Sequence, residues 1–566
     1  MTAPAAPPAA RPSRAGSLLV DCLIEQGADR VFTVPGESFL AVLDALHDCP
    51  QIETVTCRHE GGAAYMACAD GAMTGRPGLC MVTRGPGATN ASIGVHVAMQ
   101  DSVPMILFVG DVDRPMRDRE AFQEVDLVAM FAPLAKWAAR IDDARRIPEY
   151  VARAYSVAIA GRPGPVVLAL PHDMLLDAAP GAVPRPAVVR PAQAPCPDAV
   201  GTLMRLLEDA AAPLAIVGGA DWNLGARQSF QLFAEHIGLP VAAAFRRQDA
   251  IANSSPVWAG PLGFGASPDL LQRVKEADLL LVVGARLGEV TSDGYALVTP
   301  DHPGQLLVHV HPDPEELGQV YRTDLAMCAD MAEFAEAAAL LHDDIVPFDA
   351  GADAHREWQD WSTPRATGAG SASAPALDLA LCVGTMRDCL PPDTLICNGA
   401  GNFSSWWHRY WHYESYPGQL APTAGAMGYG LPAAIAAAKR YPDRMVVALA
   451  GDGDFLMNGQ ELATAAQYDC NLIVLVVDNA SYGTIRMHQE RMFPGRVSAT
   501  TLTNPDFVTL ARAFGHWGER VETTAQFTAA LAEAKGRRGV RLLHLVTDIE
   551  QLSATGLTLS DLHAKH

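Results

Sequence analysis

Short apolar runs recur along the chain, each closed by glycine, proline or a polar loop. In the first third they are residues 30–36 (RVFTVPG), 79–87 (LCMVTRGPG), 104–111 (PMILFVGD) and 165–171 (PVVLALP). In the middle they are 213–219 (PLAIVGG), 239–245 (LPVAAAF), 278–285 (DLLLVVGA) and 305–312 (QLLVHVHP). Two more, 444–450 (RMVVALA) and 471–477 (NLIVLVV), follow in the last third. Runs this short and this apolar read as strands buried on both faces, and the stretches between them have helical spacing. Strand and helix in alternation predict parallel sheets with right-handed crossovers. Two interruptions divide the pattern: 178–197 is rich in proline, and 361–376 (WSTPRATGAGSASAPA) in glycine, alanine and serine. Both read as connections. The expected architecture is α/β, with three doubly wound parallel-sheet domains over 17–180, 198–346 and 377–550. Linkers are expected over 181–197 and 347–376, a disordered tail over 1–16 and a C-terminal tail over 551–566. The first and third domains share a coarse strand–glycine loop–helix plan.

At 566 residues the chain exceeds what one core can bury, in keeping with several domains. A net charge of −22, from 42 basic and 64 acidic residues, argues against nucleic acid or an anionic membrane as partner. It leaves room for a small anion held by backbone N–H groups and a metal. No apolar stretch is long enough to predict a membrane span, and the opening MTAPAAPPAARPSRAG lacks the apolar core of a signal peptide. Eleven scattered cysteines without a C-x-x-C pair read as reduced thiols, and so as a cytoplasmic setting.

Candidate chemistry concentrates in residues 445–483, where the two strands end in Gly451-Asp452-Gly453-Asp454 and Asp478-Asn479. A right-handed crossover puts both loops at the carboxyl edge of the sheet, where open α/β sheets bind ligands. Asp452 offers a carboxylate oxygen and Asn479 a carbonyl oxygen, hard ligands suited to Mg²⁺ shared with a phosphate. Gly451 and Gly453 let the backbone come close to that phosphate, and a helix from near Phe455 would aim its N-terminus at it. Each loop alone is an ordinary turn; their pairing at matching strand ends favours the metal. In the first domain, Glu60 follows the strand ETVT and opens a helix of small residues. Alone it is a helix N-terminal acid; in a dry pocket it is a proton-carrying group.

The Gly-Asp-Gly run followed about 25 residues later by Asp-Asn resembles the fingerprint of the thiamin diphosphate enzymes. The resemblance implies that Asp452, Asn479 and the backbone carbonyl of Ser481 hold Mg²⁺ against the cofactor diphosphate. Asp478 departs from the usual Asn-Asn pair at its first position. GAMGYGLPAA, residues 425–434, is similar to the segment ahead of that fingerprint. There Met427 would be the apolar wedge beneath the cofactor and Gly425 would face its amino group. GNF, residues 401–403, stands where that superfamily has a diphosphate-contacting GQH, which makes Gly401, Asn402 and Phe403 cofactor residues by resemblance. Pro35, Gly36, Gly453, Asp454, Tyr482, Gly483, Thr484 and Ile485 join them on the same ground. RHE ahead of GAA and MA resembles the segment with the superfamily's glutamate, so Glu60 would be the catalytic acid on the cofactor pyrimidine. The superfamily builds its site between two subunits, which implies a homodimer or homotetramer.

TRGPGATNASIGVHVAMQD and AFQEVD, residues 121–126, resemble acetolactate synthase and its relatives. This places the loop 85–87 against the cofactor, Phe122 and Gln123 toward the reacting carbon, and Lys136 near the substrate channel. The implied activity is thiamin diphosphate- and Mg²⁺-dependent decarboxylation of a 2-oxo acid, with ligation of the resulting enamine to a carbonyl acceptor. Four residues depart from the synthases. His488 stands where they have tryptophan, and is either a proton-handling catalytic group or a surface residue. Glu37 and Ser38 replace small residues expected near the thiazolium. His96 is a further candidate or a core histidine. These changes keep open a non-ligating decarboxylase or a C–C bond-cleaving lyase or hydrolase. A non-catalytic cofactor-binding subunit is the rival from another class, against which the intact Glu60, Asp452 and Asn479 count. FAD, which some relatives bind in the middle domain, is disfavoured. His309-Val310-His311 replaces an acidic DID, GPLGFG only loosely matches a flavin-contacting glycine run, and GARLGEV keeps Arg286 without the acidic pair that follows it. His309 and His311 share a strand face, but two histidines without a third ligand are weak grounds for a metal.

Overall fold

The computed structural model describes residues 14–219, 221–340, 345–367 and 375–564. Three six-stranded parallel sheets carry the chain. The first comprises Arg30–Thr33 (β1), Glu53–Thr56 (β2), Gly78–Val82 (β3), Met105–Asp111 (β4), Trp137–Arg140 (β5) and Pro165–Pro171 (β6), in the order β2-β1-β3-β4-β6-β5. The second comprises Pro213–Val217 (β7), Val241–Ala243 (β8), Trp258–Pro261 (β9), Leu279–Val283 (β10), Leu306–His311 (β11) and Leu325–Cys328 (β12), ordered β12-β11-β10-β7-β8-β9. The third comprises Leu395–Asn398 (β13), Gln419–Leu420 (β14), Val446–Gly451 (β15), Leu472–Asp478 (β16), Trp517–Val521 (β17) and Val540–Val546 (β18), ordered β14-β13-β15-β16-β18-β17. Counted from its own first strand, the third sheet repeats the order of the first. The second has the dinucleotide-fold order. β3, β4, β6, β10 and β15 are buried along their whole length, which is why their sequences run apolar without alternation.

The first and third domains share one core. The helix Glu60–Thr74 is almost all alanine, glycine and small apolar residues, and it packs between the helices Gly85–Asp101 and Gly430–Arg440. A Cβ on Gly94 would lie 2.4 Å from that of Ala64, so the first two helices meet almost backbone to backbone. The Tyr65 ring meets Tyr429 edge-on at 5.4 Å, and its hydroxyl donates to the Met427 carbonyl at 3.2 Å. All three domains join at the carboxyl end of Gly85–Asp101, where the helix leaves carbonyls without helical partners. Arg162 donates to Met99 O at 2.7 Å, Arg286 to Gln100 O at 2.7 Å and Arg247 to Asp101 O at 3.1 Å. The Asp101 carboxylate accepts from Thr423 N at 2.8 Å.

Three expected connections differ from the structure. The N-terminal tail falls mostly on residues 1–13, outside the described residues, and the first helix already begins at Ala15. The stretch 347–376 contains the helix Ala350–Trp361, whose buried Trp358 lies edge-on to Trp258 at 6.1 Å, so it is packed onto the central sheet. Beyond residue 550 the chain folds back, and Leu552, Leu559 and Leu562 bury together with Met487. In each case an apolar residue spaced for one face outweighs the polar composition around it. All eleven cysteines are free thiols, eight of them buried. Among the described residues no helix is long and apolar enough to cross a membrane.

Burial pushes His311 down from its ordinary value of 6.5 to about 4, and His408 and His412 to about 3. As pH falls below about 6.5 the unfolded chain takes up protons that these buried rings refuse. Stability should therefore fall with pH between about 6.5 and 4, by up to about 1.4 kcal/mol per pH unit for each ring. The melting temperature is expected to drop steadily over that window, and His408→Gln should shallow the drop. An unchanged slope in the variant would remove His408 from the account.

Candidate active site

β15 and β16 pair in parallel with Gly451 beside Val477, so the loops that follow them start side by side. The helix after β15 begins at Asp452, earlier than Phe455, and a 3-10 turn at Gly459–Glu461 interrupts it before Leu462–Gln467. Asp452 is buried, which pushes its carboxyl up to about 6. The Asn504 amide donates to Asp452 Oδ2 at 2.7 Å and to Asp478 Oδ1 at 2.8 Å. Burial opposes ionisation of Asp478, but hydrogen bonds from His544, Ala480 N and Asn504 hold its carboxyl down at about 2. Asn479 Oδ1 accepts from Ser481 N at 3.1 Å across Ala480, whose φ of 53° is a left-handed turn that alanine seldom makes. The Ser481 hydroxyl donates to Thr500 O at 2.9 Å, strapping this loop to the segment after it.

The remaining third-domain candidates gather around these loops. A Cβ on Gly401 or Gly451 would lie 2.7 or 2.9 Å from the Phe403 ring, and one on Gly453 would lie 2.5 Å from the Tyr482 ring. Asn402 N donates to Thr484 Oγ1 at 3.0 Å, just inside the helix Gly483–Met492. Gly401–Phe403, Gly451–Gly453 and residues 479–484 thus form one cluster at the ends of β13, β15 and β16. It lies beside the switch point between β13 and β15, where open sheets take ligands. Gly425 is exposed with a φ of 66°, and Met427 beside it is half-buried. Asp454 differs from its expected place: its side chain turns into the protein, where Oδ1 accepts from Gly428 N at 2.6 Å and Ala400 N at 3.3 Å. It ties those loops together from beneath, and burial pushes its carboxyl up to about 7. Ile485 and His488 are exposed one helical turn apart, and His488 makes no hydrogen bond among the described residues.

The first-domain candidates lie at the ends of β1, β2 and β3, with Phe122 and Gln123 on the segment after β4 and Lys136 just before β5. Glu60 opens its helix after His59, whose ring caps Gly61 N at 3.0 Å. Asn90 Nδ2 donates to Glu60 Oε2 at 2.9 Å, and Oε1 faces the place of a missing side chain, 3.6 Å from where a Gly87 Cβ would be. Gln123 has a φ of 63° and its carbonyl accepts from Gly85 N at 3.0 Å, while Phe122 next to it is 73% exposed. Gly36, after Pro35, packs so closely on Thr83 that a Cβ would lie 2.5 Å away. Two expectations are corrected. Ser38 is fully buried, with its hydroxyl 2.9 Å from that of Thr83, because Gly110 leaves a pocket for it. Lys136 turns to the Ala160 carbonyl at 2.6 Å, and burial brings its ammonium down to about 8. Glu37 remains exposed, 3.4 Å from Arg84, and His96 is half-buried on the Gly85 helix. Within the chain, the Glu60 carboxylate pairs with the first domain while the loops around Asp452 pair within the third. These are two separate clusters.

Three family models match the chain: Thiamine pyrophosphate enzyme, N-terminal TPP binding domain, over residues 13–130, the central domain over 200–338, and the C-terminal TPP binding domain over 399–545. The chain belongs to the thiamine pyrophosphate enzymes. It is 34% identical over 527 residues to an acetolactate synthase large subunit of Parasynechococcus marenigrum strain WH8102, covering 89% of this chain and 82% of the relative. It is 31% identical over 535 residues to the acetolactate synthase isozyme 2 large subunit of Escherichia coli strain K12, covering 94% and 95%. A probable acetolactate synthase large subunit of Methanocaldococcus jannaschii is 29% identical over 545 residues, covering 94% and 91%. The third-domain cluster of this thiamine pyrophosphate enzyme suits a diphosphate, because its glycines have no room for side chains and its oxygen donors are hard. The central domain of the enzyme suits FAD poorly. At its switch point a Cβ on Gly219 would lie 1.9 Å from Gly284 O, and Trp222 closes on Gly218 O at 2.9 Å. Arg286 is engaged by Gln100 O and His309 by Ala285 O at 2.8 Å. His309 and His311 are buried side by side, and among the described residues no group of three or more His, Cys, Asp or Glu side chains is placed to hold a metal.

Sequence reasoning missed Asn90, Asn504, His544 and Glu461. Asn504 precedes proline and reads as a turn residue, and the others carry no local signal. Glu461 is fully buried and accepts from Arg58 N at 3.1 Å, His59 N at 2.9 Å and the Thr464 hydroxyl at 2.5 Å. It thereby holds, from the third domain, the turn that presents Glu60. Glu461→Ala empties a fully buried side-chain site and removes the acceptor of two part-buried N–H groups, and should cost about 2–4 kcal/mol in denaturant unfolding, with Glu461→Gln losing less. Equal stability of Glu461→Ala and wild type would show that this anchor carries no load.

Proposed function

We propose that this enzyme decarboxylates a 2-oxo acid and ligates the product to a carbonyl acceptor, with thiamin diphosphate and Mg²⁺ and without FAD. The observation that carries the reading is the meeting of Asp452, Asn479 and Ser481 with three tight glycines at one sheet edge, together with relatives named as acetolactate synthases. When bound, the cofactor supplies the nucleophilic carbon and the electron sink that C–C bond cleavage next to a carbonyl needs. Asp452, Asn479 and the Ser481 carbonyl would hold Mg²⁺, and Asn504 orients the Asp452 carboxylate toward that role. Gly401, Asn402, Phe403, Gly453 and residues 482–485 surround the diphosphate, with Gly425 and Met427 beside the pyrimidine. Glu60 holds and returns a proton at the cofactor pyrimidine. Asn90 fixes its Oε2 and leaves Oε1, beside Gly87, as the oxygen that carries it.

Among the described residues no hydrogen bond joins Glu60 to the Asp452 cluster, which supports completion of each site by a second copy. Exposed apolar side chains flank both clusters, Phe122 and Ile93 on one and Leu456, Met457 and Ile485 on the other. Covering them favours a homodimer or a larger homo-oligomer. A second reading, decarboxylation or C–C cleavage without ligation, is favoured by His488. It stands exposed on the helix that follows the Asn479 loop, and is a candidate to deliver a proton in place of an acceptor carbon.

Proton NMR of the products from pyruvate, with thiamin diphosphate and Mg²⁺ present, tests the reading. Acetolactate is expected, and Glu60→Gln should lower its rate by about 10²–10⁴-fold with the fold retained. Acetaldehyde as the product would replace ligation by simple decarboxylation, and near wild-type turnover in Glu60→Gln would remove Glu60 from the chemistry. Asp452→Ala should lose the cofactor on gel filtration; full retention would sink the metal assignment.

A further inference from the structure

The register of the third sheet sets two carboxylates side by side. With Gly451 opposite Val477, the next residues on the two strands, Asp452 and Asp478, emerge at the same edge. One amide joins them: Asn504 Nδ2 donates to Asp452 Oδ2 at 2.7 Å and to Asp478 Oδ1 at 2.8 Å. The other oxygen of Asp478 meets His544 Nε2 at 2.8 Å. His544 comes from β18, where it pairs with Val476, and its ring is buried edge-on to Phe507 with centroids 5.0 Å apart. His544, Asp478, Asn504 and Asp452 therefore form an unbroken line of hydrogen bonds that ends on the carboxylate at the head of the Gly-Asp-Gly loop.

We propose that Asp478, Asn504 and His544 are positioning residues for the metal carboxylate of Asp452, and that the second carboxylate, Asp478, strengthens the hold of the site on a divalent cation. The inference rests on the reading of Asp452 as an Mg²⁺ ligand. Each link fixes the next. A carboxylate accepts but does not donate, so two of them facing Asn504 dictate that its NH₂ end, and not its carbonyl, points inward. That NH₂ holds Asp452 Oδ2 and, with Gly453 N, fixes the direction in which the carboxylate faces. Asp478 is itself held from both sides, by His544 at Oδ2 and by Ala480 N at Oδ1 at 2.9 Å. His544 must donate from Nε2, and its buried Nδ1 has no partner among the described residues, so the Asp478 bond alone selects the ring's tautomer. Outer groups that orient a metal ligand in this way typically change metal affinity by about 10–100-fold when removed. Asp478 adds a full negative charge, which an asparagine at that position would not. An arrangement that only pinned β16 to β18 would need His544 and Asp478, but not the bridge to Asp452.

Mn²⁺ binding followed by electron paramagnetic resonance, on full-length protein with saturating thiamin diphosphate, separates these roles. Asp478→Asn and Asn504→Ala should each weaken Mn²⁺ binding about tenfold or more while the melting temperature stays within a few degrees. The double variant should bind little worse than the weaker single one, because both remove the same line of contacts. Affinities within twofold of wild type in both single variants would overturn the proposal. Asp452→Ala is the reference. If it too binds Mn²⁺ as wild type does, the metal reading itself falls. If it alone loses the ion, only the positioning role falls. Should Asp478→Asn not fold, Asn504→Ala, which lies outside the strands, decides the question by the same criterion.

Discussion

The site depends on how closely the helix Glu60–Thr74 can approach its neighbours. Twelve of its fifteen residues are buried, so it is enclosed rather than amphipathic. Its contacts tolerate no added methyl group. A Cβ would lie 2.6 Å from Glu461 Oε1 at Gly62 and 2.3 Å from Pro104 O at Gly71. The one charged side chain it buries, Asp70, is neutralised across the domain boundary by Arg440 at 2.8–2.9 Å. Because this helix belongs to the first domain and packs on Gly430–Arg440 of the third, the two domains form a single apolar core. They cannot shift relative to each other without opening it.

From that core the active groups follow. Glu60 is the first residue of the enclosed helix, and Glu461 and His59 fix the turn before it. Asn90, which orients its carboxylate, rides on Gly85–Asp101, the helix whose far end is gripped by arginines from the first and central domains and by Thr423 of the third. The Glu60 carboxylate is thus held by all three domains, although only one supplies it. On the other side, Met427 and Asp454 link the same core to the Gly-Asp-Gly loop through Tyr65 Oη and Gly428 N. Rigid support of this kind behind the loops is what a preorganised site requires.

The family and the sheet plan were legible because they rest on local features: buried apolar runs, glycines at strand ends, and a spacing that a crossover makes meaningful. β5, β9, β12, β14 and β17 did not stand out, being short or at sheet edges, where one face or one end lacks the apolar run. β13 and β18 were also passed over, although buried, since their polar residues break the pattern and His544 and Arg541 find partners only in the fold. Asp454 looked like a cofactor residue by its place beside Asp452. Its direction into the protein is set by Gly399, where a Cβ would lie 2.1 Å from its Oδ2, a contact between residues over fifty positions apart. Ser38 and Lys136 failed for the same reason: resemblance gave their place in the chain, and packing decided which way they point.

The central domain shows how little topology decides by itself. Its strand order is the one that binds dinucleotides, yet its switch point is filled by the backbones of Gly218, Gly219 and Gly284 and capped by Trp222. The first and third sheets share a different order, and their strand-end glycines pack against side chains, Gly36 on Thr83 and Gly401 and Gly451 on Phe403. The cations of the central domain reach outward: Arg247 to Asp101 O and Arg246 to Pro422 O at 2.5 Å, just ahead of Gly425. Through Arg246, Arg247 and Arg286 the central domain braces the helix Gly85–Asp101 and the loop ahead of Gly425.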